Sequence, residues 1–96
     1  MNINANITNL TTDYQTLNNL LSDLKPGEKG IIKTIHAEQG LHLRLNALGF
    51  RIGKKIELIR RASFNGPLHV RIGATDIILR SIEAQRIQLQ PQIQPL

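Results

Sequence analysis

Three histidines are the side chains of this sequence best suited to chemistry, because imidazole is the commonest protein ligand for transition metals. His36 ends a segment with strand character and His42 begins a helical pattern, with Glu38 between them. No two histidines have the helical spacing of four residues that would preorganise a metal site. We therefore expect surface histidines, His69 included, and name His36, Glu38 and His42 as the candidates for weak transition-metal binding.

Covalent catalysis has little support in the composition. The 96 residues include no cysteine, which excludes thiolate nucleophiles, disulfides and thiolate zinc sites. The serines are Ser22, Ser63 and Ser81, and none has a histidine and an acid near it in the sequence. No glycine-rich loop opens a helix after a strand to cradle phosphates. We expect a protein that is not an enzyme and holds no cofactor.

Basic side chains are the second chemically active set. Residues 1–24 hold two acids and no base, whereas residues 25–96 hold all twelve bases and five acids. A surface of this charge attracts nucleic acid, an anionic membrane or an acidic protein, and net charge does not choose among them. Alternatively, these basic side chains form an ordinary solvated face that binds no partner. The candidates for partner binding are Lys54, Lys55, Arg60, Arg61 and Arg71, with Arg80 as a further cation and the aromatic Phe64 at a predicted hairpin tip.

Hydrophobic periodicity predicts the elements that carry these side chains. Short alternating segments separated by turn residues predict a small antiparallel β-barrel. A helical step through Leu41, Leu45 and Leu48, closed by Gly49, predicts one short α-helix. The predicted strands are residues 30–36, 55–61, 68–73, 77–80 and 86–89. Their inward positions predict a core that contains Ile56, Leu58, Leu68, Val70, Ile72, Ile77 and Leu79.

Three local features have specific predictions. Gly30 is expected to mark a β-bulge in the first long strand. Asn65-Gly66 is a strong signal for a tight β-hairpin turn. Arg44, at the edge of the predicted helix, is expected to lay its stem on the barrel and donate hydrogen bonds to strand carbonyls.

The chain divides into three predicted parts. Residues 1–18 are a leader, either disordered or a short amphipathic helix, since Leu10, Tyr14, Leu17 and Leu21 recur at helical steps. Residues 19–90 form the barrel domain, and residues 91–96 form a disordered tail. Because no signal peptide or long apolar span is present, we expect a cytoplasmic protein.

Several short motifs follow one another in a distinctive order and spacing between residues 21 and 89. They are Leu24-Lys25-Pro26-Gly27-Glu28, Leu48-Gly49-Phe50, Gly66-Pro67-Leu68 and Leu79-Arg80 with Glu83-Ala84. In this order the segment resembles the FeoA family, the small cytoplasmic component of bacterial ferrous iron uptake. The resemblance implies a mostly β, Src-homology-3-like barrel with one helix inserted between early strands. It also implies a binding module for FeoB, a membrane permease with a GTPase domain, that is recruited to the inner membrane face and has Fe(II) as cargo.

Other interpretations stay open at this stage. A small basic barrel could bind nucleic acid, although three aromatic residues offer little surface for base stacking. The same type of domain ends iron-dependent repressors, so a stand-alone metal-sensing domain is another alternative. Arg51 and Arg61 are candidates by position for an arginine that acts on a partner's GTP. Exposed strand edges could support a homo-oligomer.

Overall fold

The computed structural model describes residues 14–16, 19–91 and 93–95 of the chain. A 3-10 helix at Leu21–Asp23 precedes the main sheet, and two helices are α1 (Gln39–Ala47) and α2 (Ser81–Ala84). The strands are β1 (Tyr14–Thr16), β2 (Lys29–Ile35), β3 (Lys55–Arg61), β4 (Leu68–Ile72), β5 (Thr75–Leu79), β6 (Ile87–Leu89) and β7 (Ile93–Pro95). Among the described residues, neither helix has the length and hydropathy that a bilayer span requires.

An antiparallel sheet of five strands, in the order β5-β4-β3-β2-β6, forms the body of the domain. Strand β2 is shared between two partners, because its first three residues pair with β3 and residues 32–35 pair with β6. A register shift between Ile32 and Thr34 bends the strand where it changes partner. The predicted architecture, mostly β with one short helix inserted between early strands, is confirmed.

The bulge predicted at Gly30 is therefore in the wrong place. Gly30 stays in register opposite Ile56, and the irregularity lies after Ile32. A Cβ on Gly30 would meet Leu89 Cδ1 at 2.6 Å, which is closer than carbon atoms approach each other. The glycine accommodates the close approach of β6, since a side chain at this position would force the buried Leu89 to shift.

Helix α1 ends as the sequence predicts. Gly49 has φ of +102°, its N–H donates to the carbonyl of Asn46, and the N–H of Phe50 donates to the carbonyl of Leu45. These bonds satisfy carbonyls at the end of the helix, and the Phe50 side chain is fully buried beside them. The cap thus turns the chain from the helix into the core.

The predicted apolar core is confirmed, since all seven residues expected inside the domain are buried. Burying a side chain of this size contributes about 1.5–3 kcal/mol before entropy is subtracted. The core also includes apolar residues from β2, from β6, and from the 3-10 helix and α1 with the residues that follow them, among them Leu21, Leu24, Ile32, Leu45, Phe50, Ile87 and Leu89.

The turn between β3 and β4 differs from the predicted Asn-Gly turn. Its left-handed residues are Phe64, with φ of +58°, and Asn65, with φ of +57°. Gly66 has no positive φ, but a Cβ there would lie 2.7 Å from the Cβ of Ala62. A bulky residue in the left-handed region is strained, and the Phe64 ring is fully exposed at the tip.

The two ends of the described chain meet in a separate two-stranded sheet. Strand β1 pairs antiparallel with β7, with Tyr14 opposite Pro95 and Thr16 opposite Ile93. Residues 14–16 therefore do not form the short helix that was one of the two alternatives for the leader. The tail, predicted to be disordered, forms a strand at Ile93–Pro95. The remainder of the predicted leader lies outside the described residues.

Candidate functional site: the surface cations

The guanidinium of Arg61 makes its hydrogen bonds within the domain. Its Nη2 donates to the carbonyl of Ser22 at 2.6 Å and to the carbonyl of Leu24 at 2.8 Å. These bonds fasten the 3-10 helix and the residue after it to β3. The structure therefore gives this candidate for partner binding an internal role, and the same bonds remove it from the mobile loop that an arginine acting on a partner's GTP would need.

Arg44 makes a different contact from the predicted one. Its Nη1 donates to Oε2 of Glu83 in α2, so the expectation of strand carbonyls is wrong. Glu83 is buried, and its Oε1 accepts the backbone N–H of Arg80 at 3.0 Å. Burial raises the pKa of Glu83, but the hydrogen bonds from Arg80 and Arg44 outweigh it and lower that pKa overall. The ion pair joins α1 to α2.

A row of alternating charges crosses the outer face of the sheet. Arg71 donates to both oxygens of Asp76 at 2.6 and 2.9 Å, and His69 Nε2 lies 2.8 Å from Oδ2 of Asp76. Glu57 is the cross-strand neighbour of Arg71, and Lys29 is the neighbour of Glu57. The hydrogen bonds from Arg71 and His69 hold the pKa of Asp76 well below its usual range. Arg71 thus faces acids of its own domain.

Three cations surround a groove between the end of α1 and the β4–β5 turn. The groove has a volume of about 470 Å³. We call it the basic groove; it is lined by Leu48, Gly49, Arg51, Lys54, Lys55, Ile72, Gly73, Ala74 and Thr75. No carboxylate is among these residues. The groove therefore keeps a positive potential that the outer face of the sheet does not.

The predicted partner-binding residues do not form one continuous face. Lys54 and Lys55 lie at the start of β3, whereas Arg60 and Phe64 lie at and beyond its far end. At about 3.3 Å per residue, Lys55 and Arg60 are separated by about 17 Å along the strand. Arg80 precedes α2, on a different part of the surface. The structure thus separates a groove at one end of β3 from a hairpin tip at the other.

Sequence reasoning missed several residues of these surfaces. Leu48 and Thr75 line the basic groove but come from segments far apart in the chain. A second, larger cavity of about 590 Å³ lies beside α1 and shares Arg51 with the basic groove. Two exposed apolar side chains, Leu43 and Ile52, line it. Their exposure depends on how α1 sits on the sheet, so no local pattern indicates it.

The structure does not bring the three metal candidates together. His36 Nε2 lies 2.9 Å from Oε1 of Gln88, which occupies one of its ring nitrogens. Glu38 and His42 line two different cavities. Within the described ranges, no group of three histidine, aspartate or glutamate side chains is placed to hold a metal ion.

Comparisons with known proteins identify relatives of this chain. Residues 19–91 match the model of the FeoA domain. The chain is 35% identical over 69 residues to an Fe(2+) transport protein A of Campylobacter jejuni, a match that covers 72% of this chain and 93% of that protein. A FeoA from Stenotrophomonas maltophilia, solved with zinc and described as a prokaryotic SH3 domain protein, superposes with a TM-score of 0.66 at 26% identity. That match covers 77% of this chain and 95% of the solved one.

The fold also occurs in a larger regulator. A manganese-dependent transcriptional repressor superposes with a TM-score of 0.71 at 20% identity, covering 81% of this chain but only 44% of the repressor. At this identity the likeness concerns the fold alone. The superposition on the Stenotrophomonas maltophilia protein, which is described as an SH3 domain protein, confirms the Src-homology-3-like barrel expected from the sequence.

Proposed function

This chain belongs to the FeoA domain family of ferrous iron transport accessory proteins, and on that premise we propose that it binds a FeoB-type permease through the permease's cytoplasmic GTPase domain. The observation that carries the proposal is the family match, which takes in the whole five-stranded sheet. The chain would act in the cytoplasm, at the inner face of the membrane, and would change permease assembly or nucleotide turnover by docking.

The surface chemistry supports docking. The basic groove offers three cations without an acid in its lining, and Phe64 stands fully exposed on a strained turn. Residues with a strained backbone cluster at ligand-binding and other functional sites. An aromatic side chain held outward also loses little entropy when it enters a partner's pocket. We assign the groove cations and Phe64 to the permease contact.

Retention of the chain on its own permease GTPase domain tests this assignment. The domain is immobilised with and without GTP, and the chain is expected to be retained in at least one nucleotide state. Phe64→Asn is the informative variant, because asparagine tolerates the left-handed backbone and removes the ring. We expect Phe64→Asn to weaken retention about tenfold and to leave the fold intact. No retention in either state would contradict the proposal.

Iron is proposed to be the cargo of the permease and not a resident cofactor of this chain. We also propose that any transition-metal binding at His36, Glu38 and His42 is weak. Titration with Zn(II) measures it, using His36→Ala and His42→Ala as variants. Unchanged affinity in both variants would remove these residues as ligands, whereas tight binding that both variants abolish would contradict the view of iron as cargo alone.

A further inference from the structure

The cations of the basic groove are held in position by the backbone. The N–H of Gly53 donates to the carbonyl of Ile32, and the N–H of Ile32 donates to the carbonyl of Lys54. Lys54 N–H in turn donates to the carbonyl of Arg51 at 3.1 Å. The segment 51–54 is therefore fastened to β2. A ligand that needs these side chains does not have to order the loop that carries them.

Arg51 is oriented further by a side-chain bond. Its Nε donates to Oδ1 of Asn46 at 2.9 Å, and no other contact holds its guanidinium among the described residues. Both terminal amino groups remain available, and they are the groups that bind a carboxylate with two parallel hydrogen bonds. The guanidinium therefore faces outward with its polar fork unused.

Two acids lie near the groove, and neither belongs to its lining. Glu57 shares a neighbouring cavity with Lys55, and its cross-strand neighbour there is Arg71. Asp76 follows Thr75 in sequence, but both of its oxygens accept hydrogen bonds from Arg71 and His69. Near the end of α1, the carbonyls of Asn46 and Leu45 accept the N–H groups of Gly49 and Phe50. The positive charge is thus available to a molecule from outside the domain.

The floor of the groove favours a peptide over a compact anion. Leu48, about one third exposed, and the buried Ile72 provide an apolar base beneath the cations. The groove borders the end of α1 and not its beginning, so it has no cluster of free helical N–H groups of the kind that binds phosphate. A volume of about 470 Å³ also far exceeds what a single phosphate fills.

We propose that the basic groove binds an acidic peptide segment with interspersed aliphatic residues, its carboxylates on Arg51, Lys54 and Lys55 and its aliphatic side chains on Leu48. That the segment belongs to the permease rests on the function proposed above. The groove itself selects by charge at its rim and by apolar contact at its floor.

A fluorescein-labelled peptide of alternating glutamate and leucine is the probe, with binding followed by fluorescence anisotropy and by amide shifts of the 15N-labelled chain. We expect the largest shifts at Gly49, Gly73 and Thr75, and weaker binding as NaCl rises. Double reversal of Lys54 and Lys55 to glutamate is expected to weaken binding about tenfold or more. Shifts centred elsewhere on the sheet would overturn the inference.

The matched control reverses Lys25 and Lys33, two exposed lysines outside the groove lining, and changes net charge by the same amount. We expect this variant to bind the peptide within about twofold of the original chain. Equal loss in both variants would show a general charge effect and overturn the inference. So would tighter binding of inorganic phosphate or of phosphatidylglycerol vesicles than of the peptide. The urea midpoint of each variant establishes that it is folded.

The two proposals fail separately. If the chain is retained on the permease domain but does not bind the peptide, the groove inference is wrong and the proposed function stands. If it binds the peptide at the groove but is not retained on the permease domain, the partner is wrong and the groove inference stands.

Discussion

Two cationic regions of this molecule differ in what faces each positive charge. On the outer sheet face and at the junctions with the helical elements, Arg44, Arg61 and Arg71 each contact a carboxylate or carbonyls of the domain itself. Around the basic groove, the lining that includes Lys54 and Lys55 contains no carboxylate, although Lys55 also borders a neighbouring cavity with Glu57. Positively charged side chains therefore stabilise the fold in one region and remain available to a partner in the other.

The difference teaches that net charge is a poor guide to a binding surface. The formal charge of +5 counts Arg71 and Lys54 alike. Only a cation without an internal partner can give its full attraction to another molecule, because an acid already beside it cancels much of its field. Substitutions in the first region should therefore change stability, and substitutions in the second should change binding.

Glu83→Ala tests the first region where the expected effect is largest. The substitution removes an acceptor from the N–H of Arg80 and from the guanidinium of Arg44, and it empties a buried position. We expect the free energy of unfolding to fall by about 2 kcal/mol, less than for a fully buried pair because Arg44 can be hydrated. Urea denaturation followed by circular dichroism measures it. Glu38→Ala, at an exposed position, is the control, and equal losses would break the comparison.

Arg61→Ala should have the next largest effect. It removes two charge-assisted hydrogen bonds to the carbonyls of Ser22 and Leu24, and we expect a loss of about 1–2 kcal/mol. Its neighbour offers a matched control, because Arg60 is exposed and Arg60→Ala should stay within about 0.5 kcal/mol of the original chain. The same urea experiment compares them. A larger loss for Arg60→Ala than for Arg61→Ala would reverse the assignment.

Acidification should change stability least of the three tests, and it should have no effect near neutral pH. The pKa values of Asp76 and Glu83 are lower in the folded state than their ordinary values of 3.8 and 4.5, so the unfolded chain binds more protons in acid. Stability should be constant above about pH 5 and decrease as the pH falls through those ordinary values. Thermal unfolding from neutral to acidic pH measures this slope. Asp76→Asn should flatten it, and an unchanged slope would mean that the charge row on the sheet is not coupled to folding.

Local patterns were sufficient for the parts of the fold that depend on near neighbours in sequence. Alternation predicts the core because a strand turns successive side chains to opposite faces, as Leu68, Val70 and Ile72 show. The end of α1 at Gly49 was predictable for the same reason, since its cap involves only adjacent residues. The positive charge of Lys54 and Lys55 was also predictable, because it follows from residue type alone.

Features that depend on distant segments were not predictable. The partner of Arg44 lies 39 residues away in α2, and the close approach that favours a glycine at position 30 comes from Leu89 in β6. The hairpin turn was predicted wrongly for a different reason. Asn65-Gly66 has the expected composition, but the turn is longer, closed by hydrogen bonds from Ala62 N–H to the carbonyl of Pro67 and from Gly66 N–H to the carbonyl of Ser63, and its left-handed residues are Phe64 and Asn65. The groove likewise needs α1, β3 and the β4–β5 turn together.

The division of β2 between two partners has a consequence for synthesis of the chain on the ribosome. Strands β3, β4 and β5 are consecutive neighbours and can pair as soon as each has emerged. The second half of β2, by contrast, pairs with residues 87–89, which are made more than fifty positions later. Until then the second half of β2 is an unpaired edge of the nascent sheet, open to other chains. Completion of the sheet therefore waits for nearly the last residues of the domain.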